Sequence, residues 1–182
     1  DRLVRRHGAR RLADGVDDRL LVERQRDGVL AESFLRHEGF VKALGAAYPD
    51  IEMVTTPPTD YSRVEGYKVA LDFLHSGKHI DVWYVHYSEI ALGVWQAMQE
   101  LGRTDIPIYT IGDDKQAVKG VQDGKFRALA PWTPLHADLA FRAAAYHIMD
   151  KEVPKDILLT QPRLTTKENA AQELERTWGV LE

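Results

Sequence analysis

The feature of this sequence that most constrains its fold is a regular alternation of short β-rich runs with amphipathic segments that end at glycine or proline. One such run, Val82–Val85, is apolar throughout, with no polar residue alternating along it. A strand of this kind is buried on both faces, which is typical of a parallel sheet covered by helices. The alternation therefore predicts an α/β fold with a doubly wound, mostly parallel sheet.

The amphipathic segments carry signals for helix starts and stops. The residues Leu30, Phe34, His37, Val41 and Leu44, four of them apolar, recur every three or four positions and so share one helical face. Ser62 and Glu65 form a capping-box pattern, and Gly77 is expected to end that helix. The later predicted starts are Ser88, Asp113 or Asp114, Thr133 with Pro134, and a second capping box at Thr165 and Glu168; the later stops are Gly102, Gly124 and Trp178. The predicted strands are Ile51–Val54, Val82–Val85, Ile106–Ile111, Phe126–Ala130 and Ile157–Thr160.

Composition narrows the class of protein. The chain has 182 residues, 44% apolar and 29% charged, with a formal net charge of −4, which is typical of a globular domain or a large piece of a bigger protein. The sequence contains neither a long apolar run that could span a membrane nor a signal-peptide pattern in its first residues. Since it has no cysteine, disulfides, thiolate zinc sites and a cysteine nucleophile are excluded. The negative charge argues against general affinity for nucleic acid.

The start of the chain differs from the rest. The first 26 residues contain eight arginines and five acidic residues, so this stretch is basic within an acidic protein. Both a nucleic-acid-binding arm and a solvated helix are compatible with that pattern. We leave residues 1–18 as an unassigned basic segment and predict one α/β lobe over residues 19–182.

The predicted topology locates a ligand site. Right-handed crossovers bring the carboxyl ends of all parallel strands to one edge of the sheet, where ligands of such folds bind. The segments expected at that edge are residues 24–28, 56–61, 86–89, 112–114 and 131–133. They supply hydrogen-bonding groups and aromatic rings, a combination that suits a polyhydroxylated ligand. Alternatively, Tyr61, Tyr87 and Trp132 simply complete the edge of the core.

Signals for catalysis are weak by comparison. The sequence lacks a glycine-rich phosphate loop, a G-x-S-x-G elbow and an H-E-x-x-H motif. His79 precedes the third predicted unit's strand whereas His86 ends it, so the two are expected at different levels of the sheet. Asp113 and Asp114 could form a magnesium site, but an aspartate between a strand and a helix is more often a cap. We therefore expect a protein that is not an enzyme and uses no cofactor and no metal.

The stretch DVWYVHYSEIALGVWQAMQELGR, which begins at Asp81, resembles the type I periplasmic sugar-binding proteins of ABC transporters, of which the ribose binder is an example. Further motifs of the same resemblance are RHEGF from Arg36, Tyr48 with Pro49, IPIYTIGDD from Ile106, VQDG from Val121 and LTTKENA from Leu164. In this order and spacing they cover residues 20–170.

The resemblance implies a fold of two α/β lobes joined by a hinge, with a sugar enclosed between them. This chain would correspond to the carboxyl-terminal, Rossmann-like lobe, and the amino-terminal lobe is absent from the sequence. The implied function is that of the solute-binding component of an ABC-type importer, which captures a sugar-like ligand without catalysis and delivers it to a membrane permease. The implied location is periplasmic or extracellular, and no nucleic-acid partner is expected.

The resemblance also implies a set of ligand-binding residues. Arg36 matches an arginine that reaches ligand hydroxyls, and Tyr61 matches an aromatic residue that packs on the sugar. Three positions depart from the family pattern: Tyr87 and Ser88 replace an Asn-Asp pair, Gly112 stands where an aspartate is expected with Asp113 one position later, and Trp132 replaces a frequent glutamine. The predicted set is Arg36, Tyr61, His86, Tyr87, Ser88, Asp113 and Trp132. Because rings replace amides and carboxylates, we expect a ligand larger or less hydroxylated than a simple pentose.

A second interpretation is the effector-sensing domain of a lactose-repressor-family transcription regulator, which shares this architecture. The opening DRLVRRHGARRLADGV faintly resembles the L-x-x-x-G-x-R-R start of that group's sensor lobe. The segment LTTKENA from Leu164 and the Glu-rich helix after it favour the transport class.

Overall fold

The computed structural model describes residues 30–54, 59–132, 137–156 and 163–181, with side chains from residue 34 onward. The chain divides into two compact units, residues 1–54 and 55–182. The described part of the first unit contains the helix α1 (Leu30–Ala47), as its periodicity predicted. The strand predicted at Ile51–Val54 is wrong: these residues are exposed and irregular, because no described strand lies beside them to supply hydrogen bonds.

The second unit alternates helices and strands along the chain. Its described elements are α2 (Arg63–His75), β1 (Trp83–Val85), α3 (Ser88–Glu100), β2 (Ile108–Ile111), α4 (Lys115–Gln122), β3 (Ala128–Ala130), α5 (Ala137–Ile148), β4 (Thr165–Thr166) and α6 (Ala170–Arg176). Within the described ranges, no helix is both long and apolar enough to cross a membrane.

The four described strands form one sheet in the order β1-β2-β3-β4. The first three strands are parallel, with Trp83 opposite Ile108 and Tyr109 opposite Ala128. The short β4 is antiparallel to β3, with Thr165 opposite Leu129. This arrangement confirms the predicted α/β class with a mostly parallel sheet.

The core of the second unit lies between the sheet and its helices. Helix α3 packs on β1 and β2, and α4 packs on β3 and β4. The largest fully buried apolar side chains are Phe126, Met98, Ile108, Leu129, Val118 and Val121. Burying a large apolar side chain contributes roughly 1.5–3 kcal/mol, so these residues hold the strands and their crossovers together.

Helices α2 and α3 approach each other closely at two glycines. A Cβ on Gly93 would lie 2.0 Å from the carbonyl oxygen of Arg63, and a Cβ on Gly66 would lie 2.5 Å from that of Ile90. Only glycine leaves room for backbone at this distance. The two crossing points therefore fix the amino-terminal ends of α2 and α3 relative to each other.

Of the two hydrogen bonds of the predicted capping box, the start of α2 has only one. Ser62 is the N-cap, and its hydroxyl accepts a hydrogen bond from the Glu65 N–H at 3.2 Å. The carboxylate of Glu65 pairs with Lys68 instead of reaching back. The Ser62 N–H donates to Asp60 Oδ1 at 3.0 Å, because an aspartate two residues upstream can close this turn itself.

Two other helix starts differ from the prediction. The N-cap of α3 is Tyr87, and Ser88 is the first helical residue. The predicted box at Thr165 and Glu168 is wrong because Thr165 pairs with β3 as part of β4. Helix α6 begins after Asn169, whose side chain accepts from the Thr166 N–H and donates to the Leu164 carbonyl.

The glycine stops are confirmed. Gly77, Gly102 and Gly124 follow the ends of α2, α3 and α4 with φ of 71°, 65° and 80°. The predicted stop at Trp178 is wrong, because α6 ends at Arg176. The basic segment 1–18, the cap at Thr133 and Pro134 and the strand at Ile157–Thr160 lie outside the described residues.

Candidate functional site

The carboxyl ends of the three parallel strands lie at one edge of the sheet, as the topology requires. Residues 86–89 follow β1, residues 112–114 follow β2 and residues 131–132 follow β3. We call these three segments together the strand-end surface. Helices α3 and α4 begin within or just after the first two segments, so their amino-terminal N–H groups lie at the same edge.

Two predicted site residues, Tyr61 and Tyr87, are brought together here. Their rings meet edge to face, with centroids 5.8 Å apart and planes at 68°. Tyr61 has a φ of 66°, in the left-handed region that non-glycine residues rarely adopt, at a cost of about 1–3 kcal/mol. The turn closed by Asp60 and Ser62 surrounds it on both sides. The fold thus holds the Tyr61 ring beside the first segment of the strand-end surface.

The environment of Tyr87 keeps its phenol neutral. Partial burial raises the pKa of Tyr87 above its usual value, and the negative charges of Asp114 and Glu89 raise it further. A neutral phenol can both donate and accept a hydrogen bond. Tyr87 therefore offers a ring and a two-way polar group.

Ser88 joins the ends of β1 and β2. Its side chain is only 1% exposed, and its hydroxyl donates to Asp114 Oδ2 at 3.2 Å. Asp114 Oδ1 accepts from the Ala117 N–H at 2.9 Å, which makes Asp114 the cap of α4. Gly112, with a φ of 151°, passes so close that a Cβ there would lie 2.8 Å from Ser88 Oγ. A contact of Ser88 with ligand stays a prediction.

Asp113 points its carboxylate at a partner that the sequence did not suggest. The Trp178 Nε1–H donates to Asp113 Oδ1 at 2.7 Å. From the sequence, Trp178 was predicted only as the end of the last helix. No local signal could have shown this pair, because the two residues are 65 positions apart.

Of the other predicted site residues, His86 and Trp132 follow strands of the second unit, whereas Arg36 lies in the first unit. The ring of His86 meets that of Tyr84 edge to face, with centroids 5.0 Å apart. Trp132 lies at the carboxyl end of β3 and is 49% exposed. Arg36 is half-buried on α1, in the first unit.

Sequence reasoning also missed an ion-pair network at the starts of three helices. Arg63, the first residue of α2, donates to both carboxylate oxygens of Glu89 at 3.1 and 3.2 Å. It also donates to Gln116 Oε1 at 3.3 Å. Glu89 and Gln116 lie in the first turns of α3 and α4, so one guanidinium connects all three helices.

The acidic and histidine side chains do not gather into a metal-binding group within the part of the chain that the structure describes. His79 pairs with Asp81 at 2.9 Å in an exposed position before β1. Both carboxylate oxygens of Asp114 accept hydrogen bonds, one from the Ser88 hydroxyl and one from the Ala117 N–H at the start of α4.

Comparison with known proteins identifies the family. A family model described as a periplasmic binding protein domain matches residues 27–152. The chain belongs to this family. The resemblance to type I periplasmic sugar-binding proteins of ABC transporters is thereby confirmed.

Several relatives support this assignment. The chain is 30% identical over 147 residues to the galactofuranose-binding protein YtfQ of Escherichia coli (strain K12), covering 78% of this chain and 46% of that protein. It is 29% identical over 134 residues to a xylitol-binding protein of Mycolicibacterium smegmatis, covering 71% and 38%. The chain thus spans less than half the length of these relatives. Both are named as binding proteins, one for galactofuranose and one for xylitol, and neither name favours the lactose-repressor interpretation.

Solved structures show the same fold. The crystal structure of a galactofuranose binding protein has a TM-score of 0.71 and 30% identity, over 78% of this chain and 50% of that one. The binding protein of the arabinose ABC transporter from Shewanella sp. ANA-3, bound to α- and β-L-arabinofuranose, has a TM-score of 0.71 and 27% identity, over 78% and 48%.

Proposed function

We propose that this chain is the carboxyl-terminal lobe of the solute-binding component of an ABC-type importer, and that it binds a sugar or sugar-like molecule in an interlobe cleft without catalysis. The observation that carries the proposal is the family match over residues 27–152. The proposed location is periplasmic or extracellular, and the proposed membrane partner is the permease of the importer.

The arrangement of the strand-end surface supports a sugar ligand. Tyr61 and Tyr87 supply rings on which the C–H face of a sugar can pack, and Trp132 adds an exposed indole at the end of β3. Asp113 has a second carboxylate oxygen to accept from ligand hydroxyls. The proposed ligand-binding residues are Arg36, Tyr61, His86, Tyr87, Ser88, Asp113 and Trp132.

The chemistry of these residues favours a ligand that is larger or less hydroxylated than a simple pentose. Aromatic side chains stand where the family more often has amides, so apolar contact replaces some hydrogen bonds. Relatives of this chain are named for galactofuranose, a hexose, and for bound L-arabinofuranose, a pentose, so both sugars belong among the probes. Tight retention of ribose by the complete protein would contradict this preference.

A helix face that is exposed among the described residues supports a second lobe in the complete protein. None of the residues of α5 is buried, and Phe141 and Ile148 are 75% and 80% exposed. These two residues are two turns apart and so share one face. Large exposed apolar side chains grouped in this way are typical of a surface that another body covers. Two lobes that both contact the ligand would close around it by differential affinity.

The proposal is tested by calorimetry on the longest chain that the gene encodes and on the 182-residue chain. The probes are methyl galactofuranoside, L-arabinose, ribose and xylitol. We expect the complete protein to bind a furanose with micromolar affinity or better, and the 182-residue chain to bind it at most weakly because one lobe lacks the contacts of the other. Micromolar affinity in the 182-residue chain would contradict the two-lobe mechanism, and the absence of sugar binding in the complete protein would contradict the function.

A matched pair of variants tests the site. Tyr61→Leu should weaken binding by the complete protein at least about tenfold, since it removes a ring that packs on the sugar. Tyr109→Leu removes an exposed ring from the middle of β2, away from the strand-end surface, and should leave affinity unchanged. Equal affinities for the two variants would refute the assignment of Tyr61.

A further inference from the structure

The carboxyl-terminal tail, which we define as residues 177–181, crosses the start of α4. The Trp178 carbonyl accepts a hydrogen bond from the Lys115 N–H at 2.8 Å, and Trp178 forms a parallel bridge with Asp114. A Cβ added to Gly179, whose φ is 91°, would lie 3.7 Å from both the Asp114 Cβ and the Lys115 nitrogen. The tail therefore satisfies an amino-terminal N–H of α4 that the helix itself leaves without a partner.

The tail is held in place by the helix before it. Helix α6 packs on α4 and β4, with Ala170 fully buried and Leu174 against the core. The Thr177 N–H donates to the Glu173 carbonyl at 3.0 Å, which closes α6 directly before Trp178. The indole of Trp178 is thus placed by backbone contacts on both sides.

The two neighbouring aspartates after β2 have different tasks. Asp114 uses both carboxylate oxygens inside the protein, for Ser88 and for the cap of α4. Asp113 receives one hydrogen bond from the described residues, from the Trp178 Nε1–H to Oδ1. An ionised carboxylate accepts at both oxygens, so Oδ2 of Asp113 keeps its capacity for a ligand.

We infer that Trp178 is a positioning residue of the sugar site: its indole N–H holds the Asp113 carboxylate in a fixed orientation, so the tail contributes to affinity and specificity. This inference rests on the proposed function. A side chain that is already oriented loses less rotational freedom when the ligand binds, and this raises affinity without a direct contact.

The hydrogen bond itself is tested without any sugar. The chain contains four tryptophans, and their indole N–H signals can be resolved by NMR in 15N-labelled protein. Trp178→Phe identifies the signal of Trp178. Asp113→Ala should move that signal and speed its exchange with water, whereas an unmoved signal would overturn the inference.

The role in binding is tested by calorimetry on the complete protein with methyl galactofuranoside. Trp178→Phe keeps an aromatic ring but removes the donor, and should weaken binding roughly twofold to tenfold, because the Asp113 side chain must then be immobilised when the ligand binds. In an Asp113→Ala background the same substitution should have no further effect. Trp95→Phe is the matched control, because Trp95 Nε1 has no hydrogen-bond partner among the described residues.

The outcomes separate this inference from the proposed function. Suppose that the wild-type protein binds sugar. If the Trp178→Phe variant binds it equally well, or if Trp178→Phe weakens binding equally in the wild-type and Asp113→Ala proteins, the positioning role is overturned while the function stands. If the wild-type protein binds none of the sugars, the proposed function is overturned and the role of Trp178 in binding with it.

Discussion

Replacing Gly93 with alanine tests whether the close approach of α2 and α3 is a requirement of the fold. The added Cβ would lie 2.0 Å from the Arg63 carbonyl oxygen and 2.6 Å from the Tyr67 nitrogen. Both are backbone atoms, so no side-chain rotation can relieve the clash. Helix α2 would have to move away from α3, and the turn that carries Tyr61 would move with it.

The expected loss of stability combines two opposing effects. Overpacking in a well-packed region costs typically about 1–3 kcal/mol, and contact with backbone places Gly93→Ala at the upper end. Alanine is the better helix former by about 1 kcal/mol, which offsets part of that cost. The net loss is about 2 kcal/mol. With an m value of about 2 kcal/mol/M, the urea midpoint should fall by about 1 M.

The assay is urea unfolding followed by tryptophan fluorescence, because Trp83 and Trp95 report on this unit. The control is Gly45→Ala in α1, in the first unit, where an added Cβ meets nothing within 4 Å. That variant adds the same methyl group without a clash, so the tryptophan midpoint of the second unit should not fall. A Gly93→Ala protein at least as stable as wild type would refute the reasoning.

Three further predictions concern the same edge of the sheet. Asp114→Ala should lower the free energy of unfolding by about 2–4 kcal/mol, since it removes a helix cap and leaves the buried Ser88 hydroxyl without a partner, whereas Asp114→Asn should retain most of the stability in the same urea titration. Burial and then the Asp114 and Glu89 charges raise the pKa of Tyr87, so the alkaline difference spectrum between wild type and Tyr87→Phe should show its phenolate with a midpoint above that of an ordinary tyrosine. Because the pKa of Tyr87 is higher in the folded than in the unfolded protein, its contribution to the free energy of unfolding is complete below the unfolded pKa and is lost as pH rises through the folded pKa. A Tyr87 phenolate that formed at lower pH than an ordinary tyrosine would contradict this prediction. Arg63→Lys should cost about 1 kcal/mol or less, because the Arg63 and Glu89 side chains are 38% and 34% exposed, and a loss that did not shrink in high salt would argue against an ion-pair origin.

The sequence predicted the order and type of most described elements because their signals are local. The apolar run at Val82–Val85 contains strand β1, in which Trp83 and Val85 are buried but Tyr84 is only half-buried, and the glycines at 77 and 102 end α2 and α3. Ser62 caps α2 as expected. Each of these signals acts within a few residues, where chain connectivity already brings the groups together.

Local signals failed where a distant residue competed for the same group. Thr165 carries a capping pattern, but pairing with Leu129 places it in β4. Ser88 carries an N-cap signal, but its hydroxyl bonds to Asp114, 26 residues away. In both cases the hydrogen-bonding partner lies far away in the sequence, so a short stretch of sequence around Thr165 or Ser88 does not include it.

Sequence patterns were sufficient to predict an α/β chain with a mostly parallel sheet and to predict which segments follow the strands. They did not reveal which of the two aspartates caps α4, which one receives the Trp178 indole, or that one arginine connects three helix starts. The two groups of features depend on interactions of different range. Periodicity and caps are properties of neighbouring residues, whereas the partners of Asp113 and Arg63 are selected by how the helices pack on the sheet.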